Sequence, residues 1–260
     1  MTVPRPITII KIGTTTLTTP EGSLDIDNLS RLVAQLAEEA ALKRRHLVLV
    51  SSGAITCGAE ALMIKPISVP EKQAAASVGQ ALLMGQYIGL FRQYGIRVGQ
   101  LLLTKDCMEN RVRRTNTHTT LFNLLAHEVI PIINENDTVA TDEIGVKFGD
   151  NDELSGHVAE LVRASEMLIL SDIDGLFTAN PKTTPDATLI PELFVEDQEW
   201  GHMVQDIPNG KSRGGMLSKL THAVAAAKSG VRVVIANGRG QDVLPKFFAG
   251  DAVGTRLVAS

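Results

Sequence analysis

The sequence predicts an α/β fold: an open, mostly parallel β-sheet sandwiched between helices. Three observations carry that expectation. Short runs that are apolar at nearly every position recur along the chain, as in parallel strands buried on both faces. Segments with apolar residues at a 3.6 period lie between them. Several runs end in glycine, serine or an Asn/Asp cluster, the residue types that turn a strand into a helix.

In order, ITIIKIG (7–13) reads as a buried strand ending in glycine. Asp25 caps a helix whose Ile26, Leu29, Leu32, Val33, Leu36 and Ala40 share one face. HLVLVS (46–51) is the second strand, and SSGAI follows at once. Val69 to Phe91 is a long Ala- and Leu-rich helix opened by Pro70. RVGQLLLT (97–104) is a strand, after which Asp106 and Glu109 have the spacing of a capping box for the next helix. VIPIIN (129–134), MLILS (167–171) and VRVVIA (231–236) complete six strands. The stretch 138–150 breaks the rhythm, and its polar–apolar alternation around Gly145 reads as a hairpin. No Pro/Ser linker or internal repeat divides the chain. It reads as one domain over 1–260, with an N-terminal lobe to about residue 165 and a C-terminal lobe from about 166.

Composition narrows the function. The chain is 44% hydrophobic and 21% charged, which excludes wholesale disorder. A net charge of −4 offers no broad cationic field for nucleic acid or anionic lipid, so any bound anion is held by a local site. Cys57 and Cys107 cannot build a disulfide framework and read as small core residues. No uninterrupted apolar run approaches ~20 residues and the N-terminus lacks a signal-peptide pattern, so a cytoplasmic location is expected. The histidines show no zinc spacing.

In open parallel sheets ligands collect beyond the carboxyl ends of the strands. There this chain has Lys11-Ile12-Gly13-Thr14, then Ser51-Ser52-Gly53-Ala54, then Asn134-Glu135-Asn136-Asp137, then Ser171-Asp172. Glycines and small hydroxyl residues at several strand ends are the material of an anion cradle, since backbone amides approach a phosphate only where no Cβ intervenes. Lys11 has two readings: an edge-strand lysine reaching water, or a phosphate-binding lysine. Asn209-Gly210-Lys211-Ser212 fails as a Walker A motif because position 205 is Gln205. The segment Ser212 to Lys219 instead places Gly214-Gly215 before a helix through Leu220, Ala223, Val224 and Ala227. Its amides and the first-turn Lys219 suit a phosphate, although paired glycines also make ordinary turns. Asp150-Asn151-Asp152-Glu153 lacks the glycine and glutamate of a calcium loop. Asn151 or Asp152 reads as the cap of a helix through Leu154, Val158, Leu161 and Val162, a place compatible with ligand contact.

IKIGTTTL, VSSGAI, VGQLLLT, INENDTVA, FGDNDELS, GLFTANP and GGMLSK occur in an order that resembles the glutamate 5-kinase (γ-glutamyl kinase) family of the amino acid kinase superfamily, from about Ile9 to about Val258. The resemblance implies the amino acid kinase (carbamate kinase-like) fold. It implies ATP contacts at Lys11, Gly13, Ser171, Asp172, Arg213, Gly214, Gly215, Met216, Leu217, Ser218 and Lys219. Glutamate contacts fall on Ser52, Asp137 and Asn151, with Gly53 and Asn134 beside them at the strand ends. Asp152 would organise the two catalytic lysines, Lys11 and Lys219. The family often has threonine where this chain has Ser171 and Arg213; Ser171 keeps the hydroxyl. Many members continue into a PUA domain that has no counterpart in this sequence, so nothing about RNA is carried over.

The implied reaction is ATP-dependent phosphorylation of the L-glutamate γ-carboxylate, the entry step to proline biosynthesis. Mg²⁺ would be held mainly by the nucleotide phosphates. No protein metal ligands, nucleic acid or membrane are expected, while L-proline is an expected feedback inhibitor and the chain an expected dimer or tetramer. Two alternatives remain: a sister kinase for another carboxylate or phosphate, and a non-catalytic nucleotide-binding regulator on the same fold.

Overall fold

A computed structural model of the chain describes residues 5–140, 151–179, 181, 183–196 and 213–259, with only the helix backbone for 213–218. The hairpin expected over 138–150 therefore falls largely outside the described residues.

The six predicted strands all form: β1 (Ile7–Ile12), β2 (His46–Ser51), β3 (Arg97–Leu103), β4 (Val129–Glu135), β5 (Glu166–Ser171) and, between a short β6 (Glu192–Phe194) and β8 (Thr255–Val258), β7 (Arg232–Asn237). The sheet order is β3-β4-β2-β1-β5-β7-β8-β6. The strands from β3 across to β7 pair in parallel, whereas β8 runs antiparallel to β7 and β6 runs parallel to β8. The two short strands escaped the sequence reading. Glu192–Phe194 is three residues long and Thr255–Val258 four, too short for either to show a periodicity.

Helices cover both faces: α1 (Thr14–Leu17), α2 (Ile26–Leu42), α3 (Ala54–Leu62), α4 (Val69–Arg92), α5 (Asp106–Glu109), α6 (Arg111–Ala126), α7 (Asn151–Val162), α8 (Arg213–Lys228) and α9 (Val243–Ala249). Asp25 caps α2 as expected, accepting from the Asn28 amide. Ser68 and Glu71 form a reciprocal capping box at α4, with Pro70 in its first turn. The capping box expected at Asp106 and Glu109 does not form. Both residues lie inside the four-residue α5, Asp106 accepts from the Thr104 hydroxyl and pairs with Arg113, and Asn110 caps α6 through the amides of Val112 and Arg113. A short turn intervenes there, so the next helix starts four residues later than the spacing suggests.

The pleat of β1 assigns its residues to two cores. Ile7 and Ile9 face one layer with Leu154 and Val158 of α7 and Leu220 and Ala223 of α8. Ile10 and Ile12 face the other with Leu29, Leu32 and Leu36 of α2 and Leu83 and Tyr87 of α4. Side chains two apart share a face, so Lys11 projects toward α7 and α8. Length and apolar composition would let α4 cross a membrane. Here Ala75, Ala76, Leu83, Met84, Tyr87 and Phe91 of α4 are buried in the fold.

Candidate active site

The chain leaves β1 for β2 on one side and returns to β5 on the other, so β1 is the switch point where a crevice opens in an open α/β sheet. In register, Ile12 stands opposite Ser51 and Leu170. The parallel arrangement thus gathers Gly13, Ser52, Asn134 and Ser171 at one edge.

Lys11 is no edge lysine: it sits in the central strand and is 3% exposed. Its ammonium lies 2.5 Å from Asp152 Oδ1, and Lys219 Nζ lies 2.9 Å from Asp152 Oδ2. One carboxylate therefore spans two ammoniums carried by β1 and α8. Burial alone would raise the Asp152 carboxyl, but the charges of Lys11 and Lys219, with their hydrogen bonds, hold it below its usual range. Asp152 also stands in the first turn of α7, where the helix dipole favours an anion.

The caps and turns around these residues differ from the sequence reading. Asn151 and Asp152 are the first helical residues of α7 rather than its cap, and their side chains turn away to the strand ends. Gly214 and Gly215 do not precede α8 but lie in its first turn, because the helix begins at Arg213. Lys219 is accordingly in the second turn, where it reaches Asp152. The side chains of Arg213, Met216, Leu217 and Ser218 lie outside the described residues.

Gly13 packs where a side chain would not fit easily. A Cβ there would stand 3.1 Å from the Leu170 carbonyl oxygen and 3.5 Å from Lys11 Nζ. Gly53 opens α3 at φ 96°, a left-handed conformation that glycine adopts without strain. Asp172 accepts from the Thr15 and Ser171 hydroxyls, tying the end of β5 to the turn after β1. That turn is held from behind: Arg239 donates to the Thr15 and Thr18 carbonyls, and Asn28 to that of Thr16. Sequence reasoning missed Asn28 and Arg239, since a polar residue in a helix and an arginine after a turn carry no signal until the fold joins them.

Next to the lysines a cavity of about 230 Å³ is lined by Thr14, Ser52, Gly53, Asn134, Glu135, Asp137 and Asn151, among others. All five predicted substrate residues are in this wall; Thr14 and Glu135 are additions. Asn151 Nδ2 lies 2.9 Å from the Ser51 carbonyl, 3.0 Å from Ser52 Oγ and 2.9 Å from Asn134 Oδ1. Asn151 Oδ1 is buried without a hydrogen-bond partner among the described residues. Larger hollows, of about 420 Å³ beside His46 and Tyr94 and about 1300 Å³ beside His118 and Phe122, lie away from these strand ends. The convergent polar groups line the smaller cavity, which makes it the candidate site.

A mostly parallel sheet with a lysine–carboxylate–lysine bridge at its switch point defines an amino acid kinase, and the chain belongs to that family: the model of the Amino acid kinase family matches residues 6–237. Within it the chain is similar to glutamate 5-kinases. It is 44% identical over 249 residues to that of Geobacter sp., covering 95% of this chain and 66% of the relative. It is 45% identical over 255 residues to that of Burkholderia mallei, covering 96% of this chain and 67% of the relative. The chain spans about two thirds of the length of these curated relatives. Among solved structures, a T. acidophilum isopentenyl phosphate kinase in a product complex superposes with TM-score 0.66 at 15% identity, over 96% of this chain and 99% of that one. A Neisseria gonorrhoeae N-acetylglutamate synthase superposes with TM-score 0.69 at 18% identity, over 98% of this chain and 60% of that one. At such identities the superpositions establish the fold alone.

Proposed function

We propose that the chain transfers the γ-phosphoryl group of ATP to the γ-carboxylate of L-glutamate, giving ADP and L-glutamyl 5-phosphate, the entry step to proline biosynthesis. The observation that carries this reading is the bridge from Lys11 through Asp152 to Lys219 beside a small polar cavity. The 44–45% identity to glutamate 5-kinases supports the choice of acceptor. The cavity volume of about 230 Å³ is below the ~300–1,000 Å³ of drug-sized pockets, which suits a single amino acid.

A γ-carboxylate oxygen attacks the γ-phosphorus, and the bond to the β–γ bridging oxygen breaks with its electron pair passing to ADP. The nucleophile is already ionised, so no general base is required. Catalysis reduces to alignment and charge compensation. Lys11 and Lys219 hold phosphoryl oxygens, Asp152 orients both ammoniums, and amides near Gly13 and Gly53 act as fixed dipoles. Ser171, Asp172 and the Arg213 to Lys219 turn hold the nucleotide. Ser52, Asn134, Asp137 and Asn151 hold glutamate, with Asp137 and the Asn151 Oδ1 acceptor suited to its α-ammonium. Residues to about 165 then form the glutamate lobe and those from about 166 the nucleotide lobe of one domain.

Asp152 is occupied by two ammoniums, and among the described residues no cluster of three or more His, Cys, Asp or Glu side chains could hold a metal ion. Mg²⁺ held by the nucleotide phosphates would supply further compensation of phosphate charge there, beside the two lysines. The same reading includes L-proline as an inhibitor that shares glutamate's α-carboxylate and α-nitrogen, and a cytoplasmic site of action set by glutamate and ATP. It also includes a dimer or tetramer.

The test is glutamate-dependent ADP formation with hydroxylamine trapping of the acyl phosphate. ADP release that ignores glutamate, or no trapped hydroxamate, would overturn the proposal.

A further inference from the structure

The amide groups that wall the acceptor cavity form one hydrogen-bonded chain, and its direction is fixed by groups that cannot reverse. The Ser51 carbonyl can only accept, so the Asn151 atom 2.9 Å from it is the NH₂ group. That NH₂ also lies 2.9 Å from one side-chain atom of Asn134, which must then be the oxygen. The backbone amide of Glu135, an obligate donor 2.9 Å from the same atom, demands the same assignment. The Asn134 NH₂ consequently points away from the cavity, where it donates to Gln80 Oε1 at 2.7 Å. Asn134 is 2% exposed and Gln80 9%, so water is a poor substitute for either partner.

Gln80 lies on α4, and the described cavity wall does not include it. Its backbone is set firmly in place. The adjacent Gly79 touches α3 so closely that a Cβ would stand 1.8 Å from the Ala54 carbonyl oxygen. The acceptor at position 80 is thus delivered by the same helix contact that holds the start of α3 against the cavity.

We propose that Gln80 is a positioning residue that anchors the Asn134 amide behind the acceptor pocket and so sets the pocket's selectivity for an α-amino acid; this rests on the glutamate-kinase reading above. With an acceptor at 80, Asn134 presents oxygen to Asn151, and Asn151 turns its own oxygen free to receive a donor. Without one, the buried Asn134 NH₂ loses its partner while the Glu135 amide still fixes the direction of the group, so the side chain must shift to reach another acceptor. That shift draws the Asn134 oxygen off the Asn151 NH₂, which lets Asn151 move and displaces the acceptor meant for the substrate's α-ammonium.

The test compares Gln80→Met, which keeps the shape but not the acceptor, with Gln80→Glu, which keeps an acceptor oxygen. In Gln80→Met the KM for glutamate rises about tenfold or more, the scale of one lost buried hydrogen bond, while the KM for ATP stays within about twofold. Turnover of glutarate, which lacks the α-ammonium, gains relative to glutamate. Gln80→Glu restores the glutamate KM to within about threefold of the parent. In parallel, NMR exchange of the Asn134 side-chain amide protons is slow in the parent and in Gln80→Glu, and fast in Gln80→Met. An unchanged glutamate KM, an equal rise in both KM values, a failure of Gln80→Glu to rescue, or unchanged amide exchange overturns the role of Gln80. A parent protein without glutamate-dependent turnover overturns the proposed activity instead, and the exchange measurement still decides whether Gln80 holds Asn134.

Discussion

Lys11 Nζ stands 2.5 Å from Asp152 Oδ1, and neither side chain exposes more than 3% of its surface. The pair joins the central strand to the first turn of α7, and Lys219 adds a second ammonium to the same carboxylate. Two cations on one anion leave the three side chains with a single positive charge in a poorly solvated place. In the proposed reaction a phosphoryl group arriving between the lysines would relieve that imbalance and so couple nucleotide binding to the central salt bridge.

Loss of Lys219 should therefore damage turnover far more than binding. In Lys219→Ala the bridge between Lys11 and Asp152 survives, so the fold keeps its buried pair while the transferring group loses one preorganised cation. The expected drop in kcat is ~10²–10³, with little change in the KM for glutamate. Steady-state kinetics checks this, and a drop of less than about tenfold would contradict a role in transfer.

The same bridge gives stability a pH dependence of known sign. The Asp152 carboxyl is held below its ordinary value of 3.8, so its contribution is fully present above that value and is lost as pH falls through the lower folded one. Asp152→Asn removes the carboxylate that the buried Lys11 and the partly exposed Lys219 share, at a cost of about 3–5 kcal/mol near neutral pH. The gap between parent and variant should then narrow as the solution is acidified below about pH 4. Thermal unfolding of both proteins across that range is the measurement; a gap that stays constant would show that the carboxyl is not depressed.

Two glycines of α4 separate packing from propensity. A Cβ at Gly79 would stand 1.8 Å from the Ala54 carbonyl oxygen, a backbone atom that cannot move without shifting α3 and its Gly53 start. Gly79→Ala should cost at least about 2 kcal/mol and raise the KM for glutamate. Gly85 is exposed, and a Cβ there would meet nothing within 4 Å. Gly85→Ala should add about 0.5–1 kcal/mol through helix propensity and leave the kinetics alone. Denaturant unfolding of the two variants gives opposite signs if the helix contact is as close as the geometry states.

Much of this was legible in the sequence because it is local. Apolar runs located β1 to β5 and β7, and strand-end glycines located Gly13 and Gly53 at the site. The misreadings have a common origin in short-range signals that compete. Asp106 and Glu109 have capping-box spacing, yet Thr104 and Arg113 claim Asp106 and Asn110 caps α6 instead. Gly214 and Gly215 look like a turn, yet α8 takes them in. Gln80 and Arg239 were invisible for a different reason. Each acts on a segment more than fifty residues away, and only the sheet order brings the partners together. A polar residue on the apolar face that carries Ala76, Leu83, Met84 and Tyr87 was the one available signal for Gln80.

Asp137 offers the clearest test of how the acceptor is gripped. It follows the end of β4, half-buried in the wall of the small cavity. In the proposed function a carboxylate there would pair with the charged α-nitrogen that glutamate and proline have in common. Asp137→Ala should weaken glutamate binding by about 1.5–3 kcal/mol, the worth of a charge-assisted hydrogen bond, and leave the affinity for a non-hydrolysable ATP analogue within about twofold. Proline, gripped by the same carboxylate but lacking a γ-carboxylate to react, should inhibit the parent competitively with glutamate. Its apparent Ki should rise in proportion to glutamate concentration, and the substitution should weaken both ligands together. Calorimetry with the ATP analogue and an inhibition series at several glutamate concentrations check the two halves. A loss of nucleotide affinity with an unchanged glutamate KM would move Asp137 out of the acceptor pocket, and purely noncompetitive proline inhibition would place proline at a different site.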